Sequence, residues 1–281
     1  MFRIAKKRQL NDSVTLMEIL APEIAKKAKA GQFIIFRIDE FGERVPLTIA
    51  DTDPVSGTVT IIFQIVGRST MLLNQMNEGD SILDFVGPLG IPTHIDGFKK
   101  VAVVGGGVGC AIAYPSAKAL FNNGVQVDMI AGFRSKDIII LENEMRSACT
   151  NFYLMTDDGT AGEKGFTTTK LKELLEKNEY DLVIAIGPII MMKMITQTAK
   201  PFGVPCTVSL NPIMIDGTGM CGCCRVTVDG VMRFACVEGP DFDAYKVDFD
   251  ELMKRNSVYK ERETHDKEHI CNLTGGVRTN A

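Results

Sequence analysis

The chain has 281 residues, 45% of them hydrophobic and 23% charged, with a formal net charge of −4. This balance excludes a disordered chain, and without a basic excess it excludes a nucleic-acid-binding surface. The opening "MFRIAKKRQLNDSV" has no apolar core behind its charges, so no signal peptide is expected. The longest apolar run, "VAVVGGGVGCAIAYP", is glycine-broken and too short to span a bilayer. A cytoplasmic, reducing location follows as the expectation, and there clustered cysteines read as metal ligands or redox groups.

Residues 1–98 read as all-β. The runs "VTLMEILAP", "GQFIIFRID" and "GTVTIIFQIVG" are short and β-rich, with Gly, Pro, Asp and Asn between them. Only "STMLLNQM" reads as a helix, and strands at this density predict a small barrel or sandwich.

Residues 99–209 change pattern. A strand over 101–104 runs into a glycine turn and an apolar helix ending near Asn122. Strands at "VQVDMIAG", "NFYLMTDD", "DLVIAIG" and "VPCTVSL" alternate with helices, including "TTTKLKELLEKN". The alternation predicts a doubly wound parallel sheet, so the fold class is α/β plus all-β.

The glycine turn, Gly105, Gly106, Gly107, Val108 and Gly109, sits where a dinucleotide pyrophosphate meets a helix N-terminus, with Cys110 in the slot of the third glycine. Asp128 falls in mid-strand and is not expected to hold a ribose, whereas Arg134, just beyond that strand, is better placed for the nucleotide. Gly187 and Pro188 end another strand on its carboxyl side, where such sheets bind ligands.

Residues 210–250 hold four of the eight cysteines, in "DGTGMCGCC" and "FACVEG". Plant-type 2Fe–2S proteins use Cys-x4-Cys-x2-Cys and a distant fourth cysteine. Cys221 and Cys224 fit the close pair and Cys236 the distant partner, but Asp216 stands in the first slot. The Asp229-Gly230 turn predicts a hairpin that gathers Cys224 and Cys236, although strict register sets Cys223 opposite Cys236. Three readings stand: a 2Fe–2S cluster on Asp216, Cys221, Cys224 and Cys236, a zinc site on similar ligands, and unliganded thiols. Residues 251–281 form a charged tail, either a partner arm or a solvated helix.

With "ERVPLTIAD", "VGRST", "GPLG", "VAVVGGGVG", "TDDGTAGEKG", "AIGP" and "SLNPIMIDGTGMCGCCRVTV…FACVEGP" in view, the chain resembles the small subunits of NADH-dependent ferredoxin:NADP oxidoreductase. This is also the sulfide dehydrogenase flavin/iron–sulfur subunit family. More distantly, the chain is similar to dihydroorotate dehydrogenase electron-transfer subunits. The resemblance spans residues 1 to about 250 and implies a ferredoxin–NADP reductase-like fold with FAD in the barrel. It implies Thr48 at the flavin N5, Leu47 in the aromatic slot, Pro46 beside it, and Arg44 at the pyrophosphate. Gly67, Arg68, Ser69 and Thr70 match a second flavin segment. Aspartate in the Asp216 slot is the pattern of the ferredoxin:NADP family, where dihydroorotate-type relatives carry cysteine. The implied activity is hydride exchange between NAD(H) and FAD and single-electron exchange with the cluster. NADP(H) also enters because Arg134 suits a 2′-phosphate. The implied partner is a larger flavin/4Fe–4S subunit, in a heterodimer or higher complex that reaches ferredoxin and bifurcates electrons.

Overall fold

The computed structural model describes residues 1–259. The N-terminal unit is one antiparallel sheet of β1 (Phe2–Asn11), β2 (Val14–Leu20), β3 (Phe33–Arg37), β4 (Val45–Asp53), β5 (Thr58–Gln64), β6 (Ser81–Ile82) and β7 (Asp84–Leu89). Helices α1 (Pro22–Ala25) and α2 (Arg68–Gln75) accompany it. The strand order is β6-β1-β2-β5-β4-β3-β7. The two edge strands are separated in sequence only by Leu83, whose N–H donates to Ile38 O, so the sheet curls into a nearly closed barrel. Met17, Ile34, Phe36, Ile61 and Phe63 fill its interior.

The run "FIIF" of β3 is buried on both faces. Ile34 and Phe36 point into the barrel, while Phe33 and Ile35 join a second core that includes Cys224 and Cys236. Side chains alternate faces along a strand, so four consecutive apolar residues are what a strand between two cores requires. This strand positions the cysteine-bearing region against the barrel.

The second unit comprises β8 (Lys100–Gly106), α3 (Gly109–Asn122), β9 (Gln126–Phe133), α4 (Glu142–Ser147), β10 (Asn151–Thr156) and β11 (Glu163–Lys164). It continues through α5 (Thr167–Lys177), β12 (Leu182–Ile186), α6 (Ile189–Ala199) and β13 (Cys206–Ser209). The C-terminal unit adds the hairpin β14 (Arg225–Val228) and β15 (Val231–Phe234), then α7 (Ala235–Glu238), β16 (Asp241–Asp243) and α8 (Phe249–Asn256). The second sheet runs β11-β10-β9-β8-β12-β13-β16, parallel throughout except for β16. Its order reverses at β8, with β9 on one side and β12 on the other, which opens a crevice beyond their carboxyl ends.

The edge strand β16 stitches the C-terminal unit into the nucleotide-type sheet. Helix α8 begins before the expected start of the tail: Asp248 caps it by accepting from Glu251 N–H at 2.9 Å, and Phe249 and Leu252 are buried. Residues 251–256 thus continue a packed helix that touches α6, and the tail beyond 259 lies outside the described residues.

Candidate functional site

The cysteine loop lies on the barrel. Gly217 has φ +84°, and a Cβ there would sit 2.6 Å from Ile35 Cδ1 and 2.8 Å from Leu89 Cδ1. Only glycine permits both the left-handed turn and the close approach. Gly219 and Gly222 also have positive φ, so the loop winds tightly between Asp216 and Cys224.

The hairpin pairs Arg225 with Phe234 and Val228 with Val231, around Asp229-Gly230. Strict register would continue to Cys223 opposite Cys236. Instead the chain turns helical at Ala235, whose N–H donates to Cys224 O at 3.1 Å. The break carries Cys236 back to Cys224, and their sulfurs stand 3.2 Å apart as free thiols. Burial, and next the Cys224 thiol, push the Cys236 pKa up to about 12.

Cys221 is exposed on the rim of the loop, and the amides of Cys223 and Asp216 hold its thiol pKa below the ordinary value. Desolvation raises that of Cys223. The Asp216 carboxylate turns onto Thr218, accepting from its hydroxyl and, at 3.1 Å, from its N–H, which together lower its pKa. Among the described residues no three His, Cys, Asp or Glu side chains converge on one point. Cys224 and Cys236 meet, while Cys221 and Asp216 line the same loop without joining them. The donor set fits an iron–sulfur cluster: free thiols and a carboxylate on a glycine loop whose backbone turns tightly around them.

The residues expected at the flavin lie on the adjacent strands. Thr48 is half-buried on β4, directly opposite Phe33, and Pro46 is opposite Ile35, with Leu47 between them. Gly67 precedes α2, where the Thr70 hydroxyl accepts from the N–H groups of Val66 and Gly67 at 3.1 Å. Ser69 donates to Glu43 at 2.9 Å, and the exposed Arg68 borders a groove shared with Asp39, Phe41 and Glu43. A helix N-terminus with an arginine beside it fits a pyrophosphate. Arg44, expected at the pyrophosphate, reaches the cysteine loop. Its Nε donates to Ile215 O at 2.8 Å and its Nη2 to Asp216 O at 3.3 Å, so its guanidinium lies on the cysteine loop and not at α2. Nothing local in the sequence signals this contact.

At the reversal of the second sheet, the glycine turn and the β12 end touch. A Cβ on Gly109 would lie 2.6 Å from Gly187 Cα and from Ile186 O, whereas Gly107, at φ +57°, faces open space. Gly105, Gly106, Val108 and Pro188 complete this crevice floor, which fits a dinucleotide phosphate approached by backbone. Cys110 is fully buried beneath it and its pKa is pushed up to about 12 by burial. Asp128 is enclosed in the core, accepting from Tyr180 at 2.5 Å and Asn151 at 2.7 Å. Arg134 is exposed just past the end of β9.

A family model for the iron-sulfur cluster binding domain of dihydroorotate dehydrogenase B matches residues 211–248, which span Asp216, Cys221, Cys224 and Cys236. A "Dihydroorotate dehydrogenase B (NAD(+)), electron transfer subunit homolog" of Thermotoga maritima is 46% identical, over 97% of this chain and 96% of its own. The chain belongs to the family of dihydroorotate dehydrogenase B electron-transfer subunits and their homologues. An uncharacterized protein of Clostridium beijerinckii is 50% identical over 94% of this chain and 92% of its own. A solved chain from a study of flavin-based electron bifurcation by NADH-dependent reduced ferredoxin-NADP oxidoreductase is 44% identical. It superposes with a TM-score of 0.91 and covers 96% of this chain and 98% of its own. The cytochrome b5 reductase domain of Ulva prolifera nitrate reductase, 16% identical with a TM-score of 0.61, shares the fold alone.

The fold is therefore ferredoxin-reductase-like with a C-terminal iron–sulfur region, and the chain is a flavin/iron–sulfur oxidoreductase subunit. The match to an iron–sulfur cluster domain over the cysteine loop sets the zinc reading aside, and the 44%-identical solved chain belongs to a flavin-based, NADH-dependent system. As electron-transfer subunits, family members serve a partner catalytic subunit. Among the described residues, no helix is long and apolar enough to cross a membrane.

Proposed function

We propose that this chain exchanges hydride between NAD(H) and FAD and passes single electrons to a 2Fe–2S cluster. It does so as the cytoplasmic electron-transfer subunit of a bifurcating NADH-dependent ferredoxin:NADP oxidoreductase. The partner is a larger flavin/4Fe–4S subunit, through which ferredoxin is reached. The observation that carries this reading is the docking of the cysteine loop on the barrel. Gly217 rests against Ile35, and Ile35 pairs with Pro46, two residues from Thr48. A one-electron site thus stands on the strands proposed to hold the flavin.

Each residue has a positioning task. Gly105–Gly109 and Gly187 keep the backbone low enough for a nicotinamide dinucleotide to lie in the crevice. The α2 N-terminus and Arg68 would hold the flavin phosphates. The Thr48 hydroxyl would donate a hydrogen bond to the flavin. Cys221, Cys224, Cys236 and Asp216 would hold the cluster. Bound FAD supplies the conversion between electron pairs and single electrons. No side chain need act as a strong acid or base.

Asp216, in the slot filled by cysteine in dihydroorotate-type relatives, favours the ferredoxin:NADP assignment. The family model and the names of the relatives favour a second reading, the electron-transfer subunit of an NAD-dependent dihydroorotate dehydrogenase. Identifying the protein that co-purifies with the chain decides between them. A larger iron–sulfur flavoprotein supports the first reading, and an FMN barrel subunit without iron supports the second.

A further inference from the structure

We propose that Arg44 is a positioning residue that clamps the cysteine loop to the flavin-side strand β4, fixing the separation of the two redox sites. The inference rests on the functional reading above. Arg44 immediately precedes β4, and its fork spans two successive carbonyls of the loop, Ile215 O at 2.8 Å and Asp216 O at 3.3 Å. The remaining arm, Nη1, lies 3.9 Å from Asp84 on β7, and Asp84 is itself held by Arg37 at 2.6 Å. One residue further along the loop, Gly217 packs directly on Ile35 and Leu89. The loop is therefore fixed to the barrel twice, by hydrogen bonds and by close contact, at the point where its first proposed ligand stands.

The chemistry calls for such a fixture. Electron transfer slows steeply with distance, and a glycine-rich loop holds its distance poorly unless tethered. Guanidinium suits the task because its planar fork binds two acceptors at once, which an ammonium on a flexible stem does not. Its positive charge also lies beside the cluster loop. Reduction adds negative charge to a cluster, so a neighbouring cation raises the potential.

The test compares the full chain, loaded with FAD and cluster, with Arg44→Gln and Arg44→Lys. Three quantities are read: flavin content, hydrogen exchange of the amides over 213–222, and the cluster midpoint potential. The clamp predicts that Arg44→Gln keeps its flavin. Its loop amides exchange about tenfold faster or more, as expected when a charge-assisted hydrogen bond is lost, and its potential falls. Arg44→Lys restores most of the potential but not the protection. Lost flavin with unchanged exchange and potential would overturn the clamp and return Arg44 to the pyrophosphate. Unchanged values of all three would also overturn it. Should the wild type take up neither flavin nor iron, the functional reading fails, and the exchange difference alone still decides whether the clamp exists.

Discussion

The sulfurs of Cys224 and Cys236 stand 3.2 Å apart because the β14–β15 ladder stops at Phe234 and the chain turns into α7. Both thiols are buried, one from the loop and one from the helix, so the two proposed ligands are fixed on separate elements. Replacing either with serine should abolish the cluster while sparing the flavin, whose barrel has its own core. Iron content and visible absorption check this. Cys223→Ser, by contrast, should retain iron. Loss of iron there, with retention in Cys224→Ser, would mean that Cys223 and not Cys224 is the ligand beside Cys236.

Asp216 is the proposed fourth ligand. A carboxylate donates less charge to iron than a thiolate, so Asp216→Cys should lower the cluster midpoint potential without loss of iron. A redox titration followed by electron paramagnetic resonance reads the shift. An unchanged potential would mean that Asp216 does no more than close its turn with Thr218.

Thr48 stands half-buried on β4, and its hydroxyl is the proposed donor to the flavin. Thr48→Val keeps the shape and removes the donor. We expect flavin to be retained and the hydride step to slow about tenfold, the effect of one hydrogen bond worth ~1.4 kcal/mol. Stopped-flow bleaching by NADH measures it, and an unchanged rate would remove Thr48 from the reaction.

Asp241 joins the barrel side of the molecule to the second sheet. Its Oδ2 accepts from Thr93 at 2.6 Å, its Oδ1 has no partner among the described residues, and burial raises its pKa. A carboxyl whose folded pKa lies above its unfolded value binds its proton more tightly in the native state. Its contribution is therefore most favourable below the ordinary value of 3.8 and is lost as pH rises through the folded value. Asp241→Asn should remove that loss and make the protein more stable than wild type at about pH 7, with little difference near about pH 3. Urea unfolding across this range checks it, and parallel curves would contradict it.

Much of this arrangement was legible in the sequence. Apolar runs bounded by glycine gave the second sheet, since strands buried on both faces need no polar alternation. The Asp229-Gly230 turn gave the hairpin and its pairing of Arg225 with Phe234. Strand β1 carried no such signal, because its Lys- and Arg-rich run buries only Ile4 and leaves no apolar alternation to see. The hairpin turn and the cysteine spacing brought Cys224 to Cys236, although a ladder continued in strict register would have set Cys223 there; four helical residues end the ladder. Arg44 contacts a loop 171 positions away, a relationship set by the docking of β3 between two cores and invisible in local pattern.

The central claim is that one chain couples a two-electron nucleotide site to a one-electron cluster through a flavin. It is tested most directly by reconstituting the chain anaerobically, recording its absorption spectrum and iron content, and adding NADH. The account predicts one FAD and about two iron atoms per chain, with the flavin band bleached by NADH. A colourless, iron-free product, or a flavin that NADH leaves oxidised, would contradict it.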